Sequence, residues 1–275
     1  MKRIIATALL VVGSLAANAT LLVEDHFNSS PGTLAGTTPT VGGTWTTNAQ
    51  AGLTGYSIVS GGLTAPSGFS SSSGNAAKKM GVSGGEYQTA FTTQTAGSTV
   101  YYSLLLNVPT LLANKATEVC GLTLNDGADY ASIRYVNTNS ESFYTLGITY
   151  RNAVSNRMDT TQLAAGSTHL VVVSYQINSG SLNDVVNFWL DPDASTFASG
   201  TAPAPLLTLT GAQADATSLN MLELNNASAM PSGMLFDEVR VGTTWADVTP
   251  IPEPATIGML GLGTLMTMLL RRTQR

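Results

Sequence analysis

Few residues in this chain can do chemistry, and their spacing selects little of it. The histidines are His26 and His169, and the one cysteine is Cys120. His169 opens a strongly apolar run, which makes it a strand-end residue rather than a base. Cys120 shares a parity with Leu122 and Leu124 in EVCGLTL, so it is expected to point inward as a small hydrophobe. Neither a histidine nor a second cysteine stands beside it in sequence. No G-x-S-x-G, H-E-x-x-H or phosphate-loop pattern occurs.

Carboxylates are more numerous. Hydrolysis of a glycosidic bond needs two of them about 5–9 Å apart. Asp237 and Glu238 are adjacent, but consecutive strand residues face opposite sides, so they cannot form that pair together. Asp237 is expected to cap a turn or to pair with Arg134 or Arg151. Asp126, Asp129, Asp191 and Asp193 lie in the turn-like stretches NDGAD and DPD, where hard oxygens could hold calcium. Neither stretch is a complete EF-hand loop, and ordinary Asx turns account for both. Trp45, Trp189 and Trp245 are the candidates for stacking on sugar rings, against the commoner role of filling a core. Calcium apart, no cofactor is implied.

The elements that must position these residues read as short strands. TLLVEDHF opens the series at Leu21–Phe27. The region 28–85 is rich in Gly, Ser and Thr, and ends near Lys78 and Lys79. TVYYSLLLNV, Thr99–Val108, is apolar on both parities, as expected of a central strand covered on both sides. Strands are expected over Glu118–Leu124, after the NDG turn at Asn125–Gly127, over Phe143–Arg151, and over Met234–Gly242. His169–Ile177 and Asp184–Asp191 form the clearest hairpin, with Trp189 on the parity of Val185 and Asn187. One short helix is expected around Ala212–Leu222. Ten or more β runs separated by Gly, Asn and Asp turns predict an all-β, antiparallel sandwich in one domain.

Composition agrees. Only 11% of the 275 residues are charged, Gly contributes 27, and 43% are hydrophobic, which suits turn-rich β structure and excludes a disordered chain. The net charge is −5, but basic residues gather at the two ends. Between Thr20 and Pro250 there are seven basic and sixteen acidic residues. Such an acidic body has no electrostatic footprint for nucleic acid. A single cysteine also excludes an intramolecular disulfide, so burial alone must hold the fold.

Both ends carry addresses. Lys2 and Arg3 precede an apolar run, Ile4–Ala17, and Ala17-Asn18-Ala19 offers a cleavage site after Ala19. This reads as a signal peptide for the secretion translocase and signal peptidase. The other end combines Pro252-Glu253-Pro254, an apolar run from Ala255 to Leu270, and Arg271-Arg272. Sixteen residues make about 24 Å of helix, short of the roughly 20 residues that a hydrocarbon core requires. The basic tail fits a cytoplasmic end, with the body outside, and a transient transmembrane helix is expected.

This terminal pattern resembles a PEP-CTERM sorting segment. That resemblance implies handling by an exosortase-type membrane protease and a Gram-negative source that makes extracellular polysaccharide. The stretches THLVVVSYQINSG, LNDVVNFWLDPD and FDEVRVGTTWADV resemble a laminin-G-like, concanavalin-like jelly roll. The implied layout is a signal peptide over 1–19, a sandwich over 20–248 and a sorting segment over 249–275, the first and last helical. The expected product is a non-enzymatic structural or adhesive protein, on the outer surface or extracellular, and associated with exopolysaccharide. A glycan-active enzyme or a calcium-dependent carbohydrate-binding module on the same scaffold is the alternative. Paired carboxylates would favour the enzyme.

Overall fold

The structure is a computed structural model and describes residues 20–48, 54–71, 74–81, 85–111, 119–120, 122–137, 143–151, 156–211, 214–225 and 230–252. In chain order the first strands are β1 (Leu21–Asp25), β2 (Gly32–Thr33), β3 (Thr46–Thr47), β4 (Tyr56–Ser60), β5 (Asn75–Lys79) and β6 (Tyr87–Thr95). Next come β7 (Thr99–Asn107), β8 (Val119–Cys120), β9 (Leu122–Asn125), β10 (Asp129–Asn137), β11 (Phe143–Arg151) and β12 (Asn156–Met158). The last are β13 (Leu163–Ala164), β14 (Thr168–Gln176), β15 (Val185–Leu190), β16 (Leu207–Thr210), β17 (Ser218–Leu224) and β18 (Leu235–Gly242), with a closing turn of helix α1 (Trp245–Val248).

Among the described residues these make two antiparallel sheets, a sandwich consistent with a jelly roll. The first runs β16-β15-β14-β7-β18-β5-β4-β2, with β1 also on β18. The second runs β12-β11-β10-β9-β17-β6-β3, with β13 on β11 and β8 on β10. β14 and β7 pair without interruption from Thr168 opposite Asn107 to Gln176 opposite Thr99. The expected hairpin is present as β14 and β15, from Val171 opposite Leu190 to Gln176 opposite Val185.

One core lies between the sheets. Tyr102, Leu104, Leu106, Val171, Val173, Val186 and Phe188 meet Ile133, Tyr135, Leu146, Ile148, Leu222 and Leu224 there. A second, smaller core lies on the other face of the first sheet. There Leu105, Leu170, Val172 and Trp189 are covered by Phe69, Phe197, Trp245 and Val248. That second cover explains why β7 and the start of β14 are apolar on both parities: each strand buries both faces.

Three expectations change. The 212–222 stretch is not the expected helix where it is described: β17 (Ser218–Leu224) inserts between β9 and β6. A partner on each side satisfies its backbone, and that outweighs local preference. The single strand expected over Glu118–Leu124 is two pieces, β8 and β9. The plain alternation assumed at Asp237 and Glu238 also fails. The register of β18 against β7 shifts between Asp237 and Arg240, and Glu238 has a φ of 50°, as in a β-bulge.

The terminal helices fall outside the described residues, as do Ala17, Ala19, Glu253, Pro254, Arg271 and Arg272. Among the described residues no helix is long and apolar enough to cross a membrane, and the expectation of a transmembrane helix is dropped.

Candidate functional site

The face of the second sheet turned away from the core carries a run of polar side chains. On β17, Leu222 and Leu224 enter the core, so Glu223 between them takes the opposite face. Its neighbours across the ladder are Thr123 on β9 and Gln88 on β6. Asn125 lies opposite Met221 on one side and Asp129 on the other. This register brings Glu223, Gln88, Asn125 and Asp129 together from four strands and from positions far apart in sequence.

Their hydrogen bonds form one network. Glu223 Oε2 accepts from Gln88 Nε2 at 2.7 Å and from Asn125 Nδ2 at 3.1 Å. The same Asn125 nitrogen donates to Asp129 Oδ1 at 3.1 Å. Those two carboxylate oxygens are therefore no more than about 6 Å apart, within the range used by paired acids in glycoside hydrolysis. Thr123 and Ser132 hydroxyls, joined at 2.8 Å, continue the polar strip along β9 and β10.

Glu223 is fully buried, and its Oε1 has no hydrogen-bond partner among the described residues. Burial pushes its pKa up to about 7, aided by the charges of Glu86 and Asp129 and opposed by the Gln88 hydrogen bond. Asp129 also titrates above the usual carboxylate range, through burial and then through Glu86. Asp129 and Gln88 keep part of their surface exposed, whereas the Glu223 carboxyl lies closed off behind them. Chemically, the arrangement offers an acid that stays protonated near neutral pH beside a second carboxyl group.

Of these residues the sequence had singled out only Asp129, and as a calcium ligand. Glu223 did carry a signal: a lone carboxylate between two leucines. Its partners had none, because only the register of β6, β9, β10 and β17 makes them neighbours.

The other expected ligands are engaged elsewhere. Asp191 receives the Leu170 amide at 2.8 Å and meets His169 Nδ1 at 2.7 Å, locking the start of β14 to the end of β15. Asp193 accepts from the Ser195 amide and caps the 3-10 turn Ala194–Thr196. Asp126 sits in the β9–β10 turn. No three His, Cys, Asp or Glu side chains among the described residues are arranged to hold a metal, so the four aspartates are not a common ligand set.

The three tryptophans are all interior. Trp45 is fully buried and donates to Asp25 Oδ2 at 2.6 Å. Trp189 does point away from the main core, as its parity predicts, but Trp245 packs edge-on to it at 5.0 Å. Trp245 itself donates to the Thr196 carbonyl at 2.8 Å. None presents a ring face to a sugar.

Asp237 and Glu238 belong to a structural network at the bulge. Asp237 accepts the Leu63 amide at 2.7 Å and the Glu238 amide at 2.8 Å, so it holds the turn at Gly61–Leu63 rather than an arginine. Burial raises its pKa to about 7. Glu238 meets His26 at 2.7 Å, and Glu24 meets Arg240 at 2.6 Å, which ties β1 to β18. The Glu238 hydrogen bond raises the His26 pKa.

Residues 250–275 match the model of the PEP-CTERM protein-sorting motif. The motif implies processing by an exosortase-type system and export to the cell surface or beyond. Pro252, at its start, is exposed. No curated protein matches the chain. Among solved structures, an endo-1,3-β-glucanase from Streptomyces sioyaensis is similar at 12% identity and a TM-score of 0.46, covering 84% of this chain and 98% of that one. A carbohydrate esterase from the Shiga toxin-encoding bacteriophage phi24B is similar at 15% identity and a TM-score of 0.43, covering 82% and 100%. The CBM2 module of an evolved Dit from Lactobacillus casei BL23 phage J-1 is similar at 11% identity and a TM-score of 0.39, covering 83% and 97%.

The expectation of a non-enzymatic protein is corrected here. It rested on the lack of any carboxyl pair legible in the sequence, whereas the structure contains Glu223 and Asp129 joined by Asn125.

Proposed function

We propose that the chain is an exported glycan-active enzyme, with Glu223 as general acid and Asp129 as its partner carboxylate. One observation carries this reading: the two carboxyl groups share the Asn125 amide, and Glu223 keeps its proton up to about pH 7. In such a pair the protonated member gives its proton to the leaving glycosidic oxygen; Glu223 is closed off in the resting fold, so substrate must displace the part-exposed Gln88 side chain to reach it. The ionised member stabilises the positive charge that develops on the sugar, or attacks it. Spacing of no more than about 6 Å suits the retaining geometry, in which the carboxyls stand about 5–5.5 Å apart. Gln88 and Asn125 hold the acid in place.

In this reading residues 1–19 are removed by signal peptidase after delivery by the secretion translocase. Residues 20–248 form the working domain, and 249–275 are recognised by an exosortase-type protease in a Gram-negative envelope. Extracellular polysaccharide is then the natural substrate pool.

The test is turnover. The purified full chain is incubated with a panel of glucans and other polysaccharides, and new reducing ends are counted for the parent and for Glu223→Gln. Loss of a positioned general acid is expected to cost about 10²–10⁴-fold in rate. Turnover that survives Glu223→Gln unchanged, or no turnover across the panel from pH 5 to 8, sinks the assignment.

A further inference from the structure

A second feature lies on the first sheet and shares no residue with the Glu223 cluster. An open cleft of about 740 Å³ lies where β4, β5 and β18 meet the turns at 109–110 and 232–233. That volume is in the range of small-ligand sites, about 300–1,000 Å³. Its walls combine apolar Val59, Leu235 and Pro109 with the hydroxyls of Thr110 and Ser232, and Lys78 stands among them. Gly233 forms the turn at the cleft's edge. Its φ is 84°, and a Cβ there would lie 3.6 Å from the Pro109 ring and 3.9 Å from Lys78 Cε.

The charge of this cleft opposes that of the chain. Sixteen acidic residues outnumber seven basic ones between Thr20 and Pro250, yet Lys78 and Lys79 both line the cleft and, among the described residues, no Asp or Glu does. Neither lysine forms an ion pair with a described carboxylate. Lys78 is part-exposed, and its side chain makes no hydrogen bond among the described residues. Lys79 is 2% exposed, and its ammonium donates to the Met80 carbonyl alone, at 3.3 Å. Burial lowers the Lys79 pKa, the expected response of an ammonium that lacks a counter-charge. Two cations without a carboxylate partner among the described residues set a positive field in the cleft.

We infer that this cleft binds an anionic sugar, with the carboxylate or sulfate ester on Lys78 and the ring against Val59, Leu235 and Pro109. The sugar part of the inference rests on the glycan reading above; the charge part does not. The site is separate from the Glu223 cluster, so it would hold a substrate chain or anchor the protein on an acidic matrix rather than act on it.

The experiment is calorimetric titration of the full chain with oligogalacturonate, with a sulfated dextran oligomer and with a neutral dextran oligomer. At least one anionic oligomer should bind, with an affinity that falls as salt rises. Lys78→Gln should weaken that binding about tenfold, which is about 1.4 kcal/mol. Whichever anionic oligomer binds in this manner identifies the charged group. Lys78→Gln keeps the backbone pairing with Ser57 and Leu235 and most of the aliphatic stem, so the variant should fold like the parent. Glu223→Gln should bind as the parent does, which separates this site from the proposed reaction. Equal binding of the neutral oligomer, no binding of either acidic one, or an unchanged affinity in Lys78→Gln overturns the inference.

Discussion

Glu223 and Asp129 share one proton donor: the side-chain nitrogen of Asn125 lies 3.1 Å from an oxygen of each. The Asn125 oxygen meanwhile accepts the Gly127 amide, so a single side chain ties the β9–β10 turn to the acid pair. Asn125→Ala leaves both carboxylates without that donor. It should cost about 1–3 kcal/mol, measured by urea unfolding, and should lower any turnover attributable to Glu223. An Asn125→Ala protein with parental stability would show that the bridge is idle.

Stability should fall as pH rises through the range that Glu223 controls. The folded chain keeps this proton up to about pH 7, and the unfolded chain only up to about its ordinary 4.5. Between those values the folded state holds more protons, so its advantage declines with rising pH. Asp237 acts in the same sense, from 3.8 to about 7. Glu223→Gln preserves an acceptor for Gln88 and Asn125 while removing the titration. It should flatten the slope and gain about 1–3 kcal/mol over the parent at pH 8 relative to pH 4.5. Thermal unfolding of both proteins across that interval is the measurement. Parallel curves would contradict the assigned proton.

Trp245 secures the outer core. It is buried, packs on Trp189 and donates to the Thr196 carbonyl. Trp245→Ala should cost about 3–5 kcal/mol and shift the remaining tryptophan emission to the red as Trp189 meets water. Trp245→Phe should cost less, since it keeps much of the apolar volume and loses the N–H. Denaturant titration with fluorescence separates the three proteins.

Gly147 is required for strand approach rather than for a turn. It pairs with Met158, and a Cβ at this position would stand 2.3 Å from the Arg157 carbonyl oxygen and 2.8 Å from Met158 Cα. Backbone atoms cannot swing aside, so β12 must shift. Gly147→Ala should lower stability by about 1–3 kcal/mol, read as a drop in Tm, with faster amide exchange in β11. Retention of both parental values would remove the steric argument.

Replacing Pro252-Glu253-Pro254 by alanines should block processing of the exported chain. The outcome is read from the mass and cell fraction of the protein in a host that carries the sorting protease. A variant processed and released like the parent would detach these residues from the address.

Much of the architecture was legible in local pattern. Apolar runs over Thr99–Val108 and His169–Ile177, together with the Asn-Asp-Gly turn, marked the strands, because run length and turn chemistry are local properties. The sorting motif at the C-terminal end was legible for the same reason, since it is read as a contiguous segment. The place of Ser218–Leu224 was not, because a strand there is stabilised by partners on β6 and β9 that its own residues do not specify. The bulge at Asp237 and Glu238 escaped notice because it depends on mismatched register with β7. The same holds for the chemistry. Sequence alone determined an exported, acidic, antiparallel β body without a disulfide. Only tertiary structure decided that Glu223, Asn125 and Asp129 meet, since cross-strand register sets which side chains share a face and how deeply each is buried. That burial, in turn, is what holds a proton on Glu223 near neutral pH.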